Sequence, residues 1–226
     1  MIFKYIVNYI INNMKKYSYS FILLHGFTMD GEDMEYYEDK IKGIYPECNI
    51  KFIKPTASKI KITIYKNNKY NSWYDYYTPN CDKEPEINED QLITSRNRIH
   101  SLIDKEINYH NDPMKVFVVG MSQGCCMALD VGLTYPKKIG GIIVFKGHVI
   151  KRTLSDFKTE QDVWVCHGVN DRTIYYDYAK DTYDNLKEKN NNLYLLRQNC
   201  NHGIASGIIN QMKSIQGTFK LNQFRL

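Results

Sequence analysis

The sequence predicts an α/β fold, with a mostly parallel central sheet and helices on both of its faces. Short runs rich in Val, Ile, Phe and Tyr alternate with longer amphipathic stretches, and each run is short enough to be a buried parallel strand. The length of 226 residues suits one such unit, so we expect a single domain over residues 1–226. The fold class follows from this alternation.

The individual elements can be placed in chain order. The predicted strands are the apolar runs at 20–24, 50–54, 116–119, 141–145, 163–166 and 193–196. The predicted helices are the amphipathic stretches at about 30–43, 89–110, 123–135, 176–190 and 204–217. Residues 2–11 predict a further strand or short hairpin. Residues 55–89 interrupt the alternation of strands and helices with polar and turn-forming residues. We expect a loop over or beside the active site, and the alternative is a surface insertion.

Charge and cysteine spacing exclude several classes of protein. The net charge is +5, but Lys and Arg are scattered and never form a run of five or six, so we expect no nucleic-acid partner. Weak attraction to anionic membranes or acidic partners stays open. The six cysteines show neither a C-x-x-C pair nor the spacing of a zinc site, which predicts reduced, mostly buried thiols and no metal.

The sequence shows no targeting or membrane signal that we can identify. Residues 2–11 are only partly apolar and no small-residue cleavage site follows them. No stretch approaches the roughly twenty apolar residues of a membrane span. We therefore expect a cytoplasmic protein without stable membrane insertion, while a viral source would allow packaging in a particle. The oligomeric state is left open.

Residues 120–124 read GMSQG, a G-x-S-x-G pattern. The pattern lies between the predicted strand at 116–119 and the predicted helix at 123–135, as a nucleophile elbow requires. The sharp turn admits only small residues beside the serine and puts its hydroxyl at the carboxyl edge of the sheet, near the positive end of the next helix. Ser122 is therefore the predicted nucleophile. The alternative is a glycine-flanked serine at a purely structural turn.

A serine nucleophile needs an imidazole that accepts its proton and an acid that orients the imidazole. With this elbow, the acid and then the histidine follow the serine along the chain. Asp171 lies in the turn after the strand at 163–166, so its carboxylate can rise from the same sheet edge as Ser122. His202 is the one histidine beyond Asp171, and chain order selects it as the general base.

Several other residues compete for these roles. Asp177 and Asp181, on the following helix, are alternatives to Asp171 as the acid. His167 directly follows a strand and is better explained as a strand-end residue than as the base. His148 ends another strand, and the sequence leaves open whether it lines the pocket or is a satisfied surface residue.

Acyl transfer also requires donors for the negative charge of the tetrahedral intermediate, commonly two backbone amides. One is expected from Gln123, the residue after the nucleophile. The other is expected from Phe27, in the loop that follows the first strand at 20–24. His25 precedes the glycine at which this loop turns, and we expect it to brace the loop.

Five short motifs occur together in this chain. They are LHG at 24–26, SWYD at 72–75, GMSQG at 120–124, CHGVND at 166–171 and NH at 201–202. With these motifs the chain resembles the acyl-protein thioesterase and carboxylesterase (phospholipase/carboxylesterase) family, over about residues 21–215.

The resemblance implies an α/β-hydrolase fold and hydrolysis of carboxylic esters or thioesters through an acyl-enzyme, without a metal or organic cofactor. It assigns the triad to Ser122, Asp171 and His202, in agreement with chain order. It also places Trp73 near the substrate, and we expect Trp73 and His25 to be substrate-binding residues. The implied partner is an acyl ester or thioester, including a lipidated protein or a lysophospholipid, with the acyl chain in an apolar groove.

Departures from the family pattern leave the substrate open. Cys125 follows the elbow where the family usually has glycine, Ile174 and Tyr175 replace a Val-Pro pair, and KGHV at 146–149 replaces the usual Ser-Gly loop. A long apolar groove would favour a lysophospholipase-like lipid esterase, and a small closed pocket a short-chain esterase. A catalytically silent interaction module is the non-enzymatic alternative, although no triad residue is missing.

Overall fold

The apolar runs of the sequence form the central sheet of the protein. The computed structural model describes residues 17–203. Its strands are Tyr19–Leu24 (β1), Ile50–Ile53 (β2), Lys59–Ile62 (β3), Asn68–Asn71 (β4), Val116–Met121 (β5), Gly141–Phe145 (β6), Val163–Gly168 (β7) and Leu193–Gln198 (β8). Its α-helices are Glu35–Ile44 (α1), Glu89–His110 (α2), Gln123–Thr134 (α3), Lys151–Asp156 (α4) and Tyr176–Lys189 (α5).

Six of the strands pair in the order β2-β1-β5-β6-β7-β8, and every pairing between them is parallel. The carboxyl ends of these strands therefore meet at one edge of the sheet, where open α/β folds bind their ligands. The prediction of a mostly parallel sheet with helices is confirmed.

The two faces of the sheet bury separate parts of the core. Successive residues of a strand point to opposite faces, and β5 shows this directly: Val118 packs in the cluster that includes residues of α2, α3 and α5, whereas Phe117 packs in the cluster that includes α1. The Phe117 ring stacks on Phe21 of β1 with centroids 4.7 Å apart. Covering both faces explains why these strands read as continuous apolar runs.

The predicted element bounds agree closely with the structure, with one exception at the start of the first helix. Helix α2 covers the predicted 89–110, and its N-cap Asn88 accepts a hydrogen bond from the Gln91 amide. The stretch predicted as a helix at 30–43 is split into a 3₁₀ turn at Glu32–Met34 and α1. The strand or short hairpin predicted at 2–11 and the helix predicted at 204–217 lie outside the described residues.

The segment 55–89 is not a featureless loop. It contains the antiparallel hairpin β3–β4, whose turn holds Lys66 and Asn67 at positive φ (55° and 58°). A later bridge joins Tyr76 to Ile87. The short helix α4 was also not predicted. Within residues 17–203, no helix combines the length and apolar character of a membrane span.

Candidate active site

Ser122 sits on the sharp turn between β5 and α3. Its φ of 56° and ψ of −121° are unusual for a residue with a side chain. A Cβ at Gly120 would lie 2.0 Å from the Gly124 carbonyl oxygen, and a Cβ at Gly124 would lie 2.1 Å from the Leu24 carbonyl oxygen. The turn therefore excludes any side chain at both glycines, which is the steric reason for the G-x-S-x-G spacing.

The structure joins the three predicted triad residues in one hydrogen-bonded chain. His202 Nε2 lies 2.8 Å from Ser122 Oγ, and His202 Nδ1 lies 2.7 Å from Asp171 Oδ2. Both predicted alternatives to Asp171, namely Asp177 and Asp181, are exposed on α5. Of the three aspartates, only Asp171 is hydrogen-bonded to His202.

Asp171 is buried, yet its surroundings favour the carboxylate. Burial alone would raise the pKa of Asp171, but the hydrogen bonds from His202 and from the Ile174 and Thr173 amides outweigh it and hold the pKa below its usual value. A charged Asp171 accepts Nδ1–H from His202. This leaves Nε2 as the acceptor that faces the Ser122 hydroxyl.

His167 holds the turn that follows Asp171. It is buried at the end of β7, where its Nε2 lies 2.9 Å from the Ile174 carbonyl oxygen and its Nδ1 lies 3.2 Å from the Tyr183 hydroxyl. Burial lowers the pKa of His167, which favours the neutral ring. The residue therefore ties down the turn that follows Asp171, in line with its interpretation as a strand-end histidine.

The predicted oxyanion loop passes close to Ser122. A Cβ at Gly26 would lie 3.4 Å from Ser122 Cβ. Thr28 takes a positive φ of 69°, and its amide donates to the Asn71 carbonyl oxygen at 3.0 Å, so the end of β4 holds the loop. Within residues 17–203, the Phe27 and Gln123 amides donate to no protein acceptor.

His25 and Trp73 support this loop rather than facing the cavity over Ser122. The Trp73 side chain is 1% exposed, and its Nε1 donates to the His25 carbonyl oxygen at 2.9 Å. His25 is fully buried and its Nε2 accepts from the Ala57 amide at 2.9 Å. The bracing role expected of His25 fits these contacts. Substrate contact by either residue does not, because both side chains are packed behind the loop.

The side chain of Gln123 has a structural role that we did not predict. Its Oε1 accepts from the Trp73 amide at 3.1 Å, and its Nε2 donates to Ser72 Oγ at 2.8 Å and to the Tyr74 carbonyl oxygen at 3.0 Å. The elbow glutamine thereby fixes the SWYD segment to the nucleophile turn. The sequence feature that could have indicated this contact is the presence of both the GMSQG and the SWYD motifs in one chain.

A cavity of about 230 Å³ opens over Ser122. More than half of the residues that line it belong to the segment 55–89, among them Tyr76 and Asn80, and the remainder include Phe27 and His148. The volume lies below the roughly 300–1,000 Å³ of common ligand pockets. His148, whose position the sequence left open, is thus a cavity residue.

The three buried cysteines are poor candidates for a second nucleophile. Cys125, Cys126 and Cys166 are buried, and the other three are partly exposed. Burial raises the pKa of the Cys126 thiol to about 11 and that of Cys166 to about 12, which disfavours the reactive thiolate. Within residues 17–203, no cluster of three or more His, Cys, Asp or Glu side chains is arranged to hold a metal ion.

Known proteins with related sequences include proteins named as thioesterases or carboxylesterases and one named as a probable inactive carboxylesterase. Acyl-protein thioesterase 1 of Schizosaccharomyces pombe is 32% identical over 138 residues, which are 61% of this chain and 59% of that protein. The chain thus aligns with less than two thirds of that relative. A rice protein (Oryza sativa subsp. japonica) named "Probable inactive carboxylesterase Os04g0669700" is 28% identical over 126 residues, 56% of this chain and 51% of that protein.

The fold also matches solved structures. The crystal structure of Arabidopsis thaliana SOBER1 superposes with a TM-score of 0.78 at 25% identity, covering 89% of this chain and 97% of that chain. The sequence pattern of the Phospholipase/Carboxylesterase family matches residues 7–218. This match spans nearly the whole sequence, and the chain therefore belongs to the phospholipase/carboxylesterase family of α/β-hydrolases.

Proposed function

We propose that the protein is a serine hydrolase that cleaves carboxylic esters or thioesters through an acyl-enzyme. The observation that carries this proposal is the unbroken hydrogen-bonded chain from Ser122 through His202 to Asp171. A catalytically inactive family member does not require all three side chains in this geometry. The hydrogen-bonded series therefore supports an enzyme rather than a catalytically silent interaction module.

The geometry suggests the following reaction. Ser122 Oγ attacks the carbonyl carbon while its proton passes to His202 Nε2, and the charge on the carbonyl oxygen is stabilised by the Phe27 and Gln123 amides. The tetrahedral intermediate collapses, and the alcohol or thiol leaves with the proton from His202. A water molecule then gives a proton to His202 and attacks the acyl carbon. The second tetrahedral intermediate collapses to the acid as His202 returns this proton to Ser122 Oγ.

The size of the cavity favours a compact acyl group. A long lipid chain would need an extended apolar groove, whereas the cavity over Ser122 measures about 230 Å³ and is partly lined by polar residues such as Thr78 and Asn80. A short-chain esterase or thioesterase therefore fits better than a lysophospholipase-like lipid esterase, which is the second candidate.

The proposal is tested by labelling the full chain with a fluorophosphonate probe, which reacts with activated serines. Wild type and the control Ser101→Ala, which changes an exposed helix serine, should both label. Ser122→Ala should not label, and His202→Ala should label at least about a hundredfold more slowly, because the general base is gone. Hydrolysis of esters and thioesters from acetyl to palmitoyl then gives the acyl preference. A folded wild type that neither labels nor hydrolyses any of them would refute the hydrolase.

A further inference from the structure

His148 is a buried histidine of the cavity wall that the triad geometry does not use. It is 4% exposed and lines the same cavity as Ser122. Its amide donates to Cys126 Sγ at 3.4 Å, and a Cβ at the neighbouring Gly147 would lie 3.0 Å from the Ser122 carbonyl oxygen. The loop that carries His148 is therefore packed directly against the nucleophile elbow.

One nitrogen of this ring has no protein partner. Nδ1 lies 3.1 Å from the Tyr178 hydroxyl and 3.3 Å from the Val149 carbonyl oxygen. Nε2 makes no hydrogen bond to any residue within 17–203, and it is not among the polar atoms sealed inside the protein. Nε2 therefore offers one free hydrogen-bonding position to a ligand atom in the cavity.

The protonation of the ring limits what this ligand atom can be. Burial lowers the pKa of His148, so the ring is neutral near pH 7 and has one donor and one acceptor. When Nδ1–H donates to Val149, Nε2 accepts; when the Tyr178 hydroxyl donates to Nδ1, Nε2–H donates. A hydroxyl group both donates and accepts, so it pairs with Nε2 in either state.

The surroundings of His148 favour a neutral polar ligand. Thr78, Asn80 and Tyr178 add hydroxyl and amide groups to the cavity lining. The negative charge of Glu84 acts on both His148 and Tyr178, which disfavours a carboxylate or phosphate beside them. Ser122 and His148 line the same cavity, so an acyl group bonded to Ser122 lies in the cavity that His148 borders.

We propose that His148 and Tyr178 form a specificity subsite that binds a hydroxyl group on the acyl part of the substrate. The preferred substrates are then short hydroxyacyl esters or thioesters. This proposal rests on the proposed hydrolase function and narrows it to one class of acyl group.

The test compares kcat/KM of the full chain for matched thioesters. The acyl groups are butanoyl, 3-hydroxybutanoyl and 4-hydroxybutanoyl, and a butanoyl thioester with the hydroxyl on its thiol side is the positional control. One of the hydroxyacyl substrates should exceed butanoyl about tenfold, the effect of one added hydrogen bond. The thiol-side hydroxyl should give no such advantage.

Variants connect the preference to the subsite. The hydroxyacyl-to-butanoyl ratio should fall to about one in His148→Leu, fall partly in Tyr178→Phe, and be partly kept in His148→Gln, whose amide both donates and accepts. The control His100→Leu, which changes a histidine bonded to Val131 away from the cavity, should keep the wild-type ratio. Because each result is a ratio within one variant, a general loss of stability does not imitate it.

The outcomes separate this proposal from the hydrolase function. A wild type that hydrolyses butanoyl as fast as every hydroxyacyl thioester overturns the subsite and leaves the hydrolase standing. An unchanged ratio in both His148→Leu and Tyr178→Phe also overturns it. Should His148→Leu not fold, Tyr178→Phe and His148→Gln decide. A wild type that cleaves no thioester and does not react with the fluorophosphonate refutes the underlying function.

Discussion

One oxygen of the buried Asp171 carboxylate accepts Nδ1–H of His202 at 2.7 Å, while the other accepts the backbone amides of Thr173 and Ile174 at 2.8 and 2.9 Å. The turn after β7 thus fixes the carboxylate, and the carboxylate fixes the imidazole. Within residues 17–203, Asp171 is the one charged group that pairs with His202.

Replacing Asp171 by asparagine should lower kcat about 10⁴-fold. The amide keeps the shape of the side chain but can donate to Nδ1, which favours the tautomer with its proton on Nε2, where His202 can no longer accept from Ser122. The measurement is kcat on a short thioester, with Asp177→Asn as the matched control on an exposed aspartate. A loss of less than tenfold would show that Asp171 does not orient the base.

The fold should lose stability when the pH falls below about 6.5. Burial lowers the pKa of His25, His100, His148 and His167. The unfolded chain therefore binds these protons first, and each histidine contributes up to about 1.4 kcal/mol per pH unit between its unfolded and folded pKa. Urea unfolding from about pH 7.5 to about pH 5.5 measures the slope, which should be smaller in His100→Gln. Constant stability over this range would contradict the prediction.

The elbow should not tolerate a methyl group at Gly124. A Cβ there would lie 2.1 Å from the Leu24 carbonyl oxygen. Gly124→Ala should therefore lower the free energy of unfolding by about 1–3 kcal/mol and reduce labelling of Ser122. Gly43→Ala is the matched control, because nothing lies within 4 Å of its Cβ, and it should stabilise helix α1 by about 0.5–1 kcal/mol. Equal stability of the two variants would argue against a steric origin of the motif.

Removing the Gln123 side chain should weaken both stability and catalysis. Gln123→Ala leaves the buried Trp73 amide and the Tyr74 carbonyl oxygen without their partner, which costs about 1–3 kcal/mol. Trp73 in turn holds the His25 carbonyl, so the oxyanion loop should loosen and kcat should fall more than KM rises. Denaturant unfolding and steady-state kinetics on one ester check both effects. Unchanged kcat in a destabilised variant would limit Gln123 to a structural role.

The sequence predicted best what depends on local pattern. Strand β5 and helix α3 were identified because an apolar run and a G-x-S-x-G turn are visible within a short stretch, and chain order then led to Asp171 and His202. Trp73 was assigned to the substrate because a motif shows that residues belong together but not which of them face the cavity. That distinction depends on packing between segments distant in the chain.

Two other features were missed or left open for physical reasons. Hairpin β3–β4 was read as a loop because its strands, KIKI and NKYN, are only four residues long and rich in lysine and asparagine, and they pair only with each other. The role of His148 stayed undecided because a strand-end histidine has the same sequence signature whether it meets solvent or a ligand. Only the burial of His148 and its unpaired nitrogen distinguish a ligand-facing histidine from a solvent-facing one.

The separation of this hairpin from the main sheet has a consequence for how the protein can change. Ser122, Asp171 and His202 follow strands of the six-stranded sheet, whereas much of the cavity rim comes from a segment that pairs with none of those strands. Cavity-lining residues of that segment such as Thr78 and Asn80 can therefore change, or be engineered, without altering the strands that precede Ser122, Asp171 and His202. The shape of the cavity can in this way evolve while Ser122, Asp171 and His202 keep their positions.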